Sequence, residues 1–156
     1  MKKIAALLIL LPLFSACSIK QTVDSADINR KASVCVVENT KVREGFLLAL
    51  EESLVLKNIN YVVVEPNDRD AQCDAKITYT ANWTWDLAIY MTYAEINLYS
   101  DGKLAGKATY DSRMGGGRLD KFISADDKVK ELMNELIRVN QALLAPQLGT
   151  RQTKTG

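Results

Sequence analysis

Cysteine offers the most chemistry in this chain, at Cys17, Cys35 and Cys73, and histidine is missing altogether. Without an imidazole there is no Ser-His or Cys-His catalysis, no histidine metal site and no histidine pH switch. Cys35 and Cys73 lack a histidine base to activate either thiol, and two cysteines are too few ligands for a structural metal. Asp86, Glu95 and Asp111 fall at or near predicted strand ends, and two carboxylates are the minimum for glycoside hydrolysis. Nothing in their spacing sets a separation, and the simpler reading of each is a solvated or ion-paired residue. Serine and lysine are plentiful, but no local signature marks a Ser-Lys dyad.

Two further clusters could make contacts rather than break bonds. Gly115, Gly116 and Gly117 with Arg118 could cradle an anion in backbone N–H groups. They lack the GxxxxGK[ST] pattern and the spacing of a dinucleotide fingerprint. The simpler reading is a crossover whose backbone angles only glycine meets. Trp83 and Trp85 share a strand face with Tyr79, and Tyr90, Tyr93 and Tyr99 follow closely. They could form a platform for sugars or peptides, or a membrane-facing belt. The simpler reading is core beneath the helices.

Cys17 belongs to a different setting. Lys2 and Lys3 precede an apolar run from Ile4 to Phe14, interrupted only by Pro12, and Ser15 and Ala16 come next. A cationic start, a short apolar run and small residues before a cut describe a secretory signal. The run falls short of the roughly 20 residues that a membrane-spanning helix needs. Leu13-Phe14-Ser15-Ala16-Cys17 resembles a bacterial lipobox, in which the thiol takes a diacylglyceryl group and cleavage leaves Cys17 at the N-terminus. Phe14 stands where an aliphatic residue is usual. Several acyl chains anchor strongly, each buried CH₂ adding about 0.8 kcal/mol. Ser18, in place of an aspartate, favours the outer membrane over inner-membrane retention. Residues 1–16 are thus expected to be a signal peptide, and residues 17–32 a lipidated cysteine followed by a polar, flexible tether.

With Cys17 carrying lipid, Cys35 and Cys73 remain as a pair in an oxidising compartment, and a disulfide is expected. It would close a loop of about 39 residues, worth about 4 kcal/mol in the chain-entropy view.

The whole chain has 156 residues, 47% hydrophobic and 25% charged, with a formal charge of +1. That suits one domain with a real core and excludes global disorder. Removing residues 1–16 leaves 18 basic against 19 acidic residues. A balance this near zero gives no case for a nucleic-acid partner.

The elements that must position these residues can be read from periodicity. Residues 33–38 make a β-branched strand, and Asn39-Thr40 offers a cap for a helix over 41–57 with Val42, Phe46, Ala49, Leu50 and Leu54 on one face. Residues 61–64 form a second strand. Residues 75–86 and 89–99 alternate as two more, and Asp101-Gly102 turns the chain into a fifth strand over 104–110. Ser124 caps a last helix with Val129, Leu132, Met133, Leu136 and Leu143 buried, and the tail 146–156 is expected to be disordered. The order β-α-β-β-β-β-α implies an α+β sandwich: one mixed or antiparallel sheet of about five strands with both helices on one face, in a single domain over 33–145.

Tyr79–Ala88, Met91–Ile96 and Gly115–Ile123, with the Trp83/Trp85 and triple-glycine segments as the most specific parts, resemble a family of short Gram-negative lipoproteins, the Sbal-type family. The resemblance implies an envelope address and no reaction. The element order alone is also similar to small periplasmic α/β modules such as the N-terminal domain of TolB, a likeness of topology only.

The expectation is an outer-membrane lipoprotein facing the periplasm, without cofactor or metal, that binds an envelope protein instead of turning over a substrate. A small-ligand or lipid binder would instead need a cavity between sheet and helices. An envelope hydrolase would need acids converging in a cleft.

Overall fold

The computed structural model describes residues 19–68, 72–114 and 119–140. The chain is an α+β fold with a six-stranded mixed sheet, a two-stranded second sheet and two helices. The strands are β1 (Lys20–Asp24), β2 (Ala26–Asn29), β3 (Ser33–Val37), β4 (Asn60–Val64), β5 (Ala75–Asp86), β6 (Ala88–Ser100), β7 (Lys103–Asp111) and β8 (Ile137–Asn140). The helices are α1 (Glu44–Leu56) and α2 (Ala125–Leu136), with a 3-10 turn at Leu119–Phe122 ahead of α2.

The main sheet runs β1-β7-β6-β5-β3-β4. Strands β3, β4 and β5 are parallel neighbours, joined by the β3-α1-β4 crossover, whereas β5, β6, β7 and β1 pair antiparallel. Alternation decides which face is covered. Ile77, Tyr79 and Ala81 of β5 stand opposite Leu98, Ile96 and Ala94 of β6, and all six are buried. Ala108 and Tyr110 extend that face across β7. Phe46 of α1 stacks on Tyr79 at 5.2 Å, and the Lys128 ammonium of α2 sits 5.2 Å over the Tyr110 ring, so both helices lie on this face. Leu50, Leu54, Ile96, Leu132 and Leu136 are fully buried and fill the layer between sheet and helices.

The far face is polar. Glu95 of β6 pairs with Lys107 of β7 at 2.8 Å and accepts hydrogen bonds from Tyr93 and Asn97. At its β3 end, the disulfide Cys35–Cys73 covers the sheet: Cys35 alternates with the inward Val34 and Val36, so its bond to the loop before β5 lies outward. This is the expected pairing, with Cα atoms 5.7 Å apart.

Several boundaries differ from the sequence reading. Residues 20–29 are strands β1 and β2, not a flexible tether. β1 is held by backbone pairing to the open edge of β7, Lys20 opposite Asp111 through Asp24 opposite Lys107. Gln21 faces α2, where it donates to Glu131 and accepts from Lys128. Helix α1 starts at Glu44 with Arg43 as an N-cap that makes no side-chain bond. Asn39 instead accepts from the Lys41 N–H in a turn upstream, and its amide donates to the Tyr79 carbonyl. Helix α2 ends at Leu136, because Ile137 and Val139 enter β8, parallel to β2. Ser124 caps α2 as expected, at 3.5 Å from the Asp127 N–H, and Asp101 and Gly102 both take positive φ between β6 and β7. Cys17, Leu143 and the tail 146–156 lie outside the described residues.

Candidate functional site

Each of the three acids lies beside a cation. Asp86, at the end of β5, is 2.6 Å from the Lys121 ammonium. Asp111, at the end of β7, holds Arg113 through two contacts of 2.9 and 2.6 Å, and that guanidinium keeps its carboxyl below the usual aspartate range. Glu95 lies mid-sheet, where hydrogen bonds from Lys107, Asn97 and Tyr93 hold it at about 2. Asp111 and Glu95 are thus held in the charged form by the cation beside each. A glycosidase needs one carboxyl kept protonated as an acid.

The two tryptophans part company. Trp83 is half-buried, edge-on to Phe46 at 6.4 Å, with the Arg43 guanidinium 5.7 Å over its ring. Trp85, two residues further along β5, is 72% exposed and is not core. The physical reason is the extent of α1, whose N-terminal residues Arg43 and Phe46 already sit against Trp83. The β5–β6 hairpin therefore runs on past the covering helix. Its free end carries Trp85 opposite Ile89, with Leu87 between them at φ 62° and 84% exposed. Tyr90 packs edge-on against Phe122 at 5.1 Å, so the 3-10 turn braces this end. Gly115, Gly116, Gly117 and Arg118 lie outside the described residues.

A second apolar surface was not singled out in the sequence. Strand β4 ends the sheet, so one side of its backbone has no neighbouring strand among the described residues. Beside it, Leu48, Val55 and Leu56 of α1 are exposed, Leu56 by 76%, and with Tyr61 they line a shallow groove. Glu51 and Glu52 edge this groove. Burial first, and then Glu51, raises the Tyr61 hydroxyl above the usual tyrosine value. Val62, on the opposite face of the same strand, is 49% exposed. The signal was available in α1, where leucine and valine occur all round the helix instead of on one stripe. Elsewhere, Ile28, Ala32, Leu98 and Ala105 line an open cleft of about 320 Å³ near the end of β6.

Comparison with protein families and with curated sequences returned no match. Among solved structures, the PelC dodecamer from Paraburkholderia phytofirmans superposes with a TM-score of 0.54 at 13% identity, over 76% of this chain and 98% of that one. The fold is shared with PelC. A point variant of the same dodecamer gives a TM-score of 0.49 at 13% identity, over 74% of this chain and 90% of that one. The structural likeness found is to PelC and not to a TolB domain. At this identity the likeness to PelC is one of fold.

Proposed function

We propose that this chain is a non-catalytic lipoprotein, anchored through Cys17 in the outer membrane and facing the periplasm, that holds a protein partner on its β4–α1 edge. The observation that carries the proposal is that edge. The outer edge of β4, which has no neighbouring strand among the described residues, carries exposed Val62 and lies next to an apolar groove of Leu48, Val55, Leu56 and Tyr61. Main-chain groups of an open strand give a partner affinity, and flanking apolar residues give it specificity. The lipobox-like segment at 13–17 and the resemblance to Sbal-type lipoproteins support the address. The acids, each held by its own cation, support binding over turnover.

PelC, which shares the fold, is a dodecamer, so a second copy of this chain is the first partner to test. A photocrosslinker is placed at Leu56 or Val62 in the full chain, in native envelopes, with exposed Lys76 on the polar face as control. The expected result is one dominant adduct from Leu56 and Val62, and none from Lys76. Equal background labelling from all three positions overturns the edge as the binding surface.

A further inference from the structure

We propose that the free end of the β5–β6 hairpin inserts into the same lipid leaflet that Cys17 is anchored in. This rests on the anchoring proposed above and adds a second point of contact with the membrane.

The argument begins with direction. Lys20 pairs with Asp111, and Asp111 also stands opposite Tyr93, so the three form one row across β1, β7 and β6. Both β1 and β6 run antiparallel to β7, so they are parallel to each other. The chain before Lys20 and the chain before Tyr93 thus leave the row toward the same end of the sheet. Before Tyr93 comes the hairpin end; before Lys20 comes Cys17. Three residues can separate Lys20 from Cys17 by no more than about 10 Å. From Tyr93 to Leu87 the hairpin advances about 20 Å. An anchor at Cys17 therefore brings the hairpin end to the lipid surface, because the segment expected to hold the domain away from it is strand β1.

The chemistry of that end fits an interface. Trp85, Leu87 and Ile89 are exposed together, and tryptophan settles at the headgroup level of a bilayer while aliphatic side chains enter the acyl region. The pairing reaches Asp86 opposite Ala88, so the ladder continues to the turn itself and few main-chain groups there lack a strand partner. Asp86 is the one acid between Trp83 and Met91, and Lys121 compensates it at 2.6 Å. Met91 and Thr92 at the base are buried, which gives the projecting end a firm root.

The test uses the lipoprotein purified from envelopes and reconstituted in vesicles of phosphatidylethanolamine and phosphatidylglycerol. The variant Trp83→Phe leaves Trp85 as the only tryptophan of the two in the chain. Shallow doxyl-labelled phosphatidylcholine is expected to remove about half of the Trp85 emission. Adding Leu87→Asp should restore most of it, and the reverse variant, Trp85→Phe, should leave Trp83 unquenched. Trp85 emission that ignores the doxyl lipid and yields to aqueous acrylamide, in protein whose Cys17 is acylated by mass, overturns the insertion. Should Cys17 prove unacylated, the anchoring fails on its own. Coupling its thiol to a maleimide lipid then supplies the anchor, since Cys35 and Cys73 are bonded to each other, and the same quenching decides the insertion.

Discussion

Lys121 places its ammonium 2.6 Å from the Asp86 carboxylate although the lysine side chain is only 8% exposed and the aspartate is half-exposed. The same ammonium lies 5.3 Å from the Tyr90 ring centroid, and Phe122 beside it packs on Tyr90. One short turn thus clamps the projecting hairpin from the side. Lys121→Met is expected to raise amide exchange over 86–90 several-fold while leaving the amides of β3 and β7 unchanged, as measured by hydrogen–deuterium exchange. Uniform exchange across the whole sheet would contradict a local clamp.

Glu95 gives the chain an acid-side dependence. Lys107, then Asn97 and Tyr93, lower its carboxyl from 4.5 to about 2. A carboxylate with a lowered value stabilises the fold fully above its unfolded value, and the contribution fades as pH falls from 4.5 toward about 2. Allowing for solvent screening of a sheet-face group, Glu95→Gln is expected to cost about 1–2 kcal/mol at pH 7 and almost nothing near its native value. Urea midpoints of the two proteins across that range check the convergence.

The disulfide joins cysteines 38 positions apart and closes a segment that includes α1 and β4. Its loss in a Cys35→Ala, Cys73→Ala double variant is expected to cost about 4 kcal/mol by loop entropy. Urea unfolding with and without reductant measures this. An unchanged midpoint would show that the crossover is held without it.

Gly106 of β7 is a contact of backbone with backbone. A Cβ there would lie 2.9 Å from the Asp24 carbonyl, 3.0 Å from the Ala26 Cβ and 3.0 Å from Leu136. The first is the last residue of β1, the second the first of β2 and the third the end of α2. Gly106→Ala is expected to destabilise by about 1–3 kcal/mol through overpacking and to loosen β1 before the rest of the sheet. Thermal unfolding, with exchange at 20–24, reports both effects.

The long strands were legible because their signal is repeated. Over 75–81, 92–98 and 106–110 every second side chain is buried, and Asp101-Gly102 marks the turn between two of the strands. Strands β1, β2 and β8 were not, because they are short and held largely by register. β1 alternates only between exposed and half-buried positions, and its partner is the backbone edge of β7. The end of α2 was missed because Ile137 and Val139 extend the apolar content of the helix while belonging to β8. The face of Trp85 was legible and its burial was not: alternation sets the side, but only the N-terminal limit of α1 decides whether anything covers it. The cysteine pair was read from compartment and parity, and its geometry followed from β3 lying beside β5.

Both the partner edge and the inserted hairpin depend on Cys17 being the acylated start of the protein. The direct measurement is the mass of the N-terminal peptide from protein isolated in native envelopes, after separation of inner and outer membranes. Anchoring predicts a peptide that begins at Cys17, carries a diacylglyceryl group on sulfur and an acyl group on nitrogen, and is found in the outer-membrane fraction. A peptide beginning elsewhere, or a free Cys17 thiol in the soluble fraction, would contradict it.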